Sequence, residues 1–500
     1  MRKLVFLTAF LATAPAAFAW DLSGSSQTKL WSAQPGNAMS LGHATDLRAW
    51  GNPKSGLELE GGFRYELDHE AWDDTSHFRG ISRKHLRLTG SLGYLAVGNY
   101  HATLGRGLAL NCVEERKTGT DRDLEGADIS LSLAELLEVR LLGGWLRENA
   151  SMDTTRSLAG GQAGLAVFRN LGLSAVYLRA NAGDRRQAEV FGRPVEEIYG
   201  GAVRAGYGPF DVYAEFDLRR TYGKLVDPTA GWEGADDVRG QAGYLSASFS
   251  VLGLGVGVEA KDYRRFDAGF NAPPAANREG WLLNSGYDEQ GYQAQATATP
   301  WKALTLSASL SRARSRQEYR WAFLPEFPED STGRYGWRDY HLEAKWAAGR
   351  SLTVGAEARA RRERNLQPDV KLRSFQGGGL EAAWMYGRGR SLEAQAGLDR
   401  FANHYIDGDL GYLSLTAGLK WSPFDAISVF ANTELADRRV PEYEHQRRWG
   451  EAGLDLKLGG GGHHITVSAG QTKGGLVCSG GFCRFEPSFR GMKASWEWKF

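Results

Sequence analysis

The feature that most constrains this chain is a two-faced alternation of strand length, which recurs from about residue 57 to the C-terminus. Phe210, Val212, Ala214, Phe216 and Leu218 share one face of an extended segment. Asp211, Tyr213, Glu215 and Asp217 share the other, because strand side chains alternate with period two. Leu352, Val354, Ala356, Ala358 and Ala360 stand in the same way against Thr353, Glu357, Arg359 and Arg361. Short turns, such as 169–172, 206–209, 300–303 and 387–390, alternate with long polar connections, the first near 68–82 and the last near 473–490. About eleven such long connections imply about 22 strands, within a range of roughly 18 to 24.

A strand pattern that is greasy on one side and charged on the other suits a bilayer. Lipid cannot hydrogen-bond a backbone, so a sheet there must close on itself. A tilted strand crosses the hydrocarbon in about 9–11 residues. The expected fold is therefore all-β, a transmembrane antiparallel up-and-down barrel over residues 57–500. A soluble sandwich or propeller would need a core of large aliphatics or a repeat of near-constant length, and neither pattern is evident.

Composition narrows the choice further. The 60 basic and 59 acidic residues leave a formal charge of +1, which excludes nucleic-acid binding through bulk positive charge. The 64 glycines and 11% aromatics suit many turns and strands. Residues 1–19 read as a Sec signal peptide. Arg2 and Lys3 precede an apolar run from Leu4 to Ala14, and Ala17-Phe18-Ala19 is an A-x-A cleavage site. Residues 20–56 form an N-terminal segment, expected to be lumenal or an extra strand. They are too few for the folded plug of an energised receptor.

Cys478 and Cys483 are candidates for a loop disulfide in an oxidising compartment, which leaves Cys112 without an assigned role. No haem-attachment or paired-cysteine zinc pattern occurs, so neither a cofactor nor a metal is expected. His463-His464 beside a glycine run reads as a solvated turn. His341 and Glu343 share a face, but no nucleophilic serine is tied to them by spacing, so no catalytic residue is assigned.

Two stretches carry resemblances. Met492, Ala494, Trp496, Trp498 and Phe500 alternate with Lys493, Ser495, Glu497 and Lys499. This resembles the last strand of Gram-negative outer-membrane proteins, whose terminal aromatic, here Phe500, is read by the barrel assembly machinery. The resemblance implies the outer membrane, with lipid as a partner. The stretch from Gly98 to Leu110, with Glu114-Glu115-Arg116 and 121–126 downstream, resembles the signature of an uncharacterised family of porin-like outer-membrane barrels, a domain of unknown function. The resemblance covers roughly 57–145 and implies a barrel with no known activity. On the residues alone, Gly98, Gly105 and Gly107 permit a bulge or an inward bend. A phosphate-cradling loop would need a following helix, which the sequence does not provide.

Lumen-facing candidates are Asp211, Glu215, Asp217, Glu259, Glu343, Glu357, Arg359 and Arg361. Arg312, Arg314, Arg316, Arg362 and Arg364 are assigned to strand tops or inner faces. Such a lining either selects solutes by rings of charge or braces the wall through salt bridges. Three functional expectations follow. The first is a porin-like channel or transporter for hydrophilic solutes. The second is a barrel sheath around a periplasmic or surface partner, such as a cytochrome. The third is an outer-membrane enzyme.

Overall fold

A computed structural model describes residues 20–32, 39–54, 56–69, 77–115, 120–134, 136–148, 156–182, 195–222, 225–227, 232–234, 238–266, 268–278, 288–316, 319–320, 332–366, 369–403, 410–440, 446–473, 475–479, 482–486 and 489–500. The signal-peptide assignment at 1–19 lies outside the described residues.

Alternating side chains with β-branched and aromatic members draw the chain into strands, and each strand pairs antiparallel with its neighbour. Twenty-four of them form one closed barrel. The count is two above the central expectation of about 22, and the difference comes from the N-terminal segment. Trp20–Ser32 and Met39–Lys54 are both wall strands. They pair with each other, and the second pairs with Leu57–His69.

Closure occurs where Trp20–Ser32 meets Phe489–Lys499, with Ser25 opposite Lys499 and Trp31 opposite Lys493. The backbones of Gly24 and Phe500 exchange two hydrogen bonds, at 3.0 and 3.1 Å. A closed sheet has no open edge, so every strand finds partners on both sides without help from solvent. Deleting Phe500 removes both bonds from the seam. The folded, heat-modifiable fraction on a gel is expected to fall by about half or more, since each bond contributes about 1 kcal/mol.

Connections sort by end. Short turns such as Leu252-Gly253 lie at one end, where φ angles of 47° and 80° match a two-residue turn that follows strand twist. Trp20, the first described residue, and Phe500 lie at that end too. The long connections leave the other end.

Large apolar side chains point outward and are exposed, among them Phe216 at 50%, Leu342 at 58% and Leu398 at 50%. A water-soluble sheet would bury them; a lipid-facing wall leaves them bare. Trp301, Trp346, Trp384, Trp421 and Trp496 lie exposed near the short-turn end, where an aromatic girdle meets the membrane interface. No helix among the described residues is long and apolar enough to cross a membrane.

Candidate functional site

The barrel interior is lined unequally. After strand Gly93–Tyr100 the chain turns inward, and Ala102–Leu104 pairs with Leu110–Cys112 as a small hairpin. Gly105 and Gly107, at φ 61° and 87°, make its tip. A side chain at Gly107 would start 2.6 Å from the Ala272 carbonyl, so the close approach of two backbones requires glycine there. Gly98, at φ 103°, lies as close to the Lys84 carbonyl just before the bend.

A second infolded stretch within 265–278 meets the first. Asn111 N–H donates to Phe270 O at 3.0 Å, and Ala272 N–H donates to Gly107 O at 3.1 Å. The amide of Asn271 donates to the carbonyls of Leu108 and Phe266, and its oxygen accepts from the Ala268 N–H, all at 3.0 Å. Leu104, Leu108, Leu110, Phe266 and Phe270 are wholly buried. They form one core with the inward residues Leu142, Leu158, Leu178, Ile198 and Tyr263. Register identifies the inner face here, because the neighbouring Leu141 and Tyr177 are bare on the opposite side. Each fully buried leucine contributes roughly 1.5–3 kcal/mol, so this arc of the barrel holds a packed apolar lining.

Polar anchors fix the first infold. Gly105 N–H donates to Gln162 Oε1 at 3.1 Å, and Arg106 N–H donates to Glu215 Oε2 at 3.0 Å. The Arg106 guanidinium lies 4.3 Å from the Tyr213 ring centre. Arg140 donates to the Thr103 carbonyl while it grips Asp128. At the return of the infold, Glu114 accepts from Arg64 at 3.2 Å and Arg83 at 3.4 Å. Burial opposes ionisation of Glu114, and the two guanidiniums outweigh it, so the carboxyl lies below its ordinary range and stays charged at neutral pH.

The opposite arc is polar. Glu343 pairs with Lys345 at 2.7 Å, and Arg359 pairs with Asp399 at 3.2 Å. Lys473 donates to Glu434 at 2.9 Å. Thr353, Glu381, Glu393, Lys420 and Asp455 edge a recess of about 350 Å³ on the wall. Several of these charges remain substantially exposed: Lys345 at 52%, Glu357 at 40% and Glu381 at 58% of their side chains.

The predicted residues therefore divide between two environments. Asp211 pairs with Arg204 near the short turns, Glu215 latches the infold, and Asp217 is fully buried beside Gly200. Glu259 lies on the same face, opposite Gln293. Glu343, Glu357 (3.3 Å from His341) and Arg359 belong to the polar arc. Arg361 stacks 4.9 Å from Trp337 and pairs with Glu363.

Of the two places assigned to Arg312, Arg314, Arg316, Arg362 and Arg364, strand tops or inner faces, register gives the first and excludes the second, with all five on the outer surface. Arg312 is opposite Tyr292, and Arg362 lies two residues from the outward Ala360, the partner of exposed Tyr340. They sit beyond the apolar belt, where outward charge is tolerated, so charge alone is a poor guide to inward direction near strand ends. Asn271, Gln162 and Arg64 belong to the candidate site and were not singled out from the sequence. Arg64 and Gln162 had a signal, their inward parity; Asn271 depends on contacts across the lumen. Among the described residues no cluster of three or more metal-ligating side chains occurs.

Residues 62–299 match the model of DUF6029, a family of unknown function. The DUF6029 match spans a little under half of the chain and takes in both infolded segments. Among solved structures, the chain is similar to OccK5 (OpdH) of Pseudomonas aeruginosa, at 12% identity and a TM-score of 0.41, covering 70% of this chain and 94% of that one. It is also similar to the siderophore receptor PirA of Pseudomonas aeruginosa, at 9% identity and a TM-score of 0.48, covering 96% and 80%. A third is OprD of Pseudomonas aeruginosa, at 13% identity and a TM-score of 0.40, covering 74% and 96%. These likenesses are of fold alone. No curated protein matches the sequence.

Proposed function

We propose that this protein is an outer-membrane channel or selective transporter for hydrophilic solutes. One observation carries the reading: the two infolds fill one arc with apolar packing, while the facing arc keeps water-exposed charge. A solute would pass along that charged wall and be sorted by width and by fixed charge. The bare aliphatic exterior, the tryptophans near the short turns and closure into a cylinder support a membrane setting. In this reading residues 1–19 direct Sec export and Phe500 is the signal for assembly. Purified protein in planar lipid bilayers is expected to show discrete single-channel openings. Their absence over a range of voltages would remove the channel reading.

The sheath reading is less well supported, because side chains of the chain itself occupy the arc a partner would fill. Stoichiometric co-purification of a haem protein from native membranes would favour the sheath instead.

Strands Gly475–Ser479 and Phe482–Glu486 pair with Cys478 opposite Cys483, a register compatible with the proposed disulfide. Before reduction, alkylation of unfolded chain is expected to label one of the three cysteines. Labelling of all three without reductant would refute the bridge.

A further inference from the structure

We infer that a recess in the charged arc, near the short-turn mouth, is a binding site for a neutral saccharide. The site names a solute class for the channel proposed above and rests on that reading. Two neighbouring rows of inward side chains build it. In the first, Glu393 is opposite Lys420, Lys420 is opposite Phe430, and Phe430 is opposite Gly453. In the second, Glu381 is opposite Gln395, and Gly418 lies between Gln395 and Asn432. Parity sets the direction, because Trp384, Leu419 and Val429 are bare on the outer face.

Two glycines shape the recess. A methyl group at Gly453 would start 2.4 Å from Phe430 Cζ and 2.8 Å from its Cε1. The ring therefore lies down along the wall, over bare backbone, and turns its other face to the lumen. Among the described residues no second ring or cation covers that face. At Gly418 a methyl group would start 2.5 Å from Gln395 Nε2 and 2.6 Å from Asn432 Oδ1. Two amides thus converge over one point of the wall, and among the described residues neither is spent on a protein partner. Glu381, Glu393, Lys420 and Asp455 complete a recess of about 350 Å³. That is at the small end of the roughly 300–1,000 Å³ of ligand pockets.

The chemistry of the lining selects the ligand. A carboxylate only accepts hydrogen bonds, an ammonium only donates them, and a primary amide does both. One kind of group answers all three, a hydroxyl, which donates and accepts. A cationic solute would meet Lys420, and an anionic one would meet Glu393 directly opposite it. The face of the Phe430 ring is the negative side of its quadrupole, so it takes C–H hydrogens. A cyclic sugar carries hydroxyls around its rim and C–H bonds on its faces, and so matches both parts. A channel solute must also leave again, which a shallow, water-exposed recess allows.

The test uses saturation-transfer NMR on the full chain in a zwitterionic detergent that has no sugar headgroup. Cellobiose is the probe, and mannitol is the open-chain control with hydroxyls but no ring face. Cellobiose is expected to receive saturation, strongest at its ring C–H protons, and mannitol about tenfold less. Phe430→Ala and Q395L/N432L are each expected to weaken cellobiose binding about tenfold, while Lys302→Gln, on a turn elsewhere around the rim, leaves it unchanged. Equal transfer to cellobiose and mannitol, or none to cellobiose at high millimolar concentration, overturns the site. That comparison needs no substitution, so it stands even if a variant does not fold. Transfer to cellobiose that survives Phe430→Ala in a folded barrel also overturns it. Single-channel recording reports separately on the channel. A chain that opens in bilayers but does not discriminate cellobiose from mannitol overturns this inference alone, and one that binds cellobiose through Phe430 but never opens keeps the site and loses the channel.

Discussion

Replacement of residues 103–111 by a two-residue Asn-Gly turn is expected to raise single-channel conductance about two- to threefold. The hairpin occupies lumen cross-section, and its ends, Ala102 and Cys112, already lie opposite each other, so a tight turn can join them without moving the wall. The strands that flank it, Gly93–Tyr100 and Thr120–Leu133, pair directly from Gly93 opposite Leu131 to Tyr100 opposite Leu124. Removal should therefore leave the barrel closed. Conductance measured in planar bilayers checks the result, with heat-modifiability confirming closure. An unchanged conductance in a closed barrel would show that solutes do not pass this infold.

Substitution Asn271→Leu is expected to unlatch the second infold at a cost of about 2–4 kcal/mol. The change removes three hydrogen bonds and leaves buried carbonyls at Leu108 and Phe266 without that donor. The loss is local, because the wall strands keep their own ladder. Hydrogen–deuterium exchange should rise in 266–278 and in 104–112, while the strand Val238–Val251 stays protected. Open-channel noise should rise with it. Exchange equal to that of the unsubstituted protein in both infolds would show that Asn271 holds neither.

Both predictions concern contacts between segments more than a hundred residues apart, and this separates what the chain spells out from what it does not. Period-two alternation at Phe210–Leu218 and Leu352–Ala360 fixes which side of a strand is greasy, since local backbone geometry sets that direction. Strand length and the lipid's inability to hydrogen-bond then require closure. Those rules are local, so they are legible in a single sequence. The weak alternation in 20–54 hides two strands, because Ser26, Thr28, His43 and Thr45 face outward as a mutually hydrogen-bonded polar group at the seam, and only pairing with Phe489–Lys499 and Leu57–His69 makes them wall.

The site is a different case. Gly98, Gly105 and Gly107 announced a bend, but its direction came from Gln162, Glu215 and Phe270, which meet the bend only after the cylinder forms. Arg359 lines the lumen and Arg362 the exterior, as continued alternation past Ala360 requires, while their pairing with Asp399 and opposite Arg338 appears only in the folded wall. Local alternation and backbone hydrogen bonding were enough to dictate a closed, lipid-facing cylinder with wet and greasy sides. Where the cylinder is filled and where charge stays open emerged only on folding, because both depend on long-range packing across the lumen.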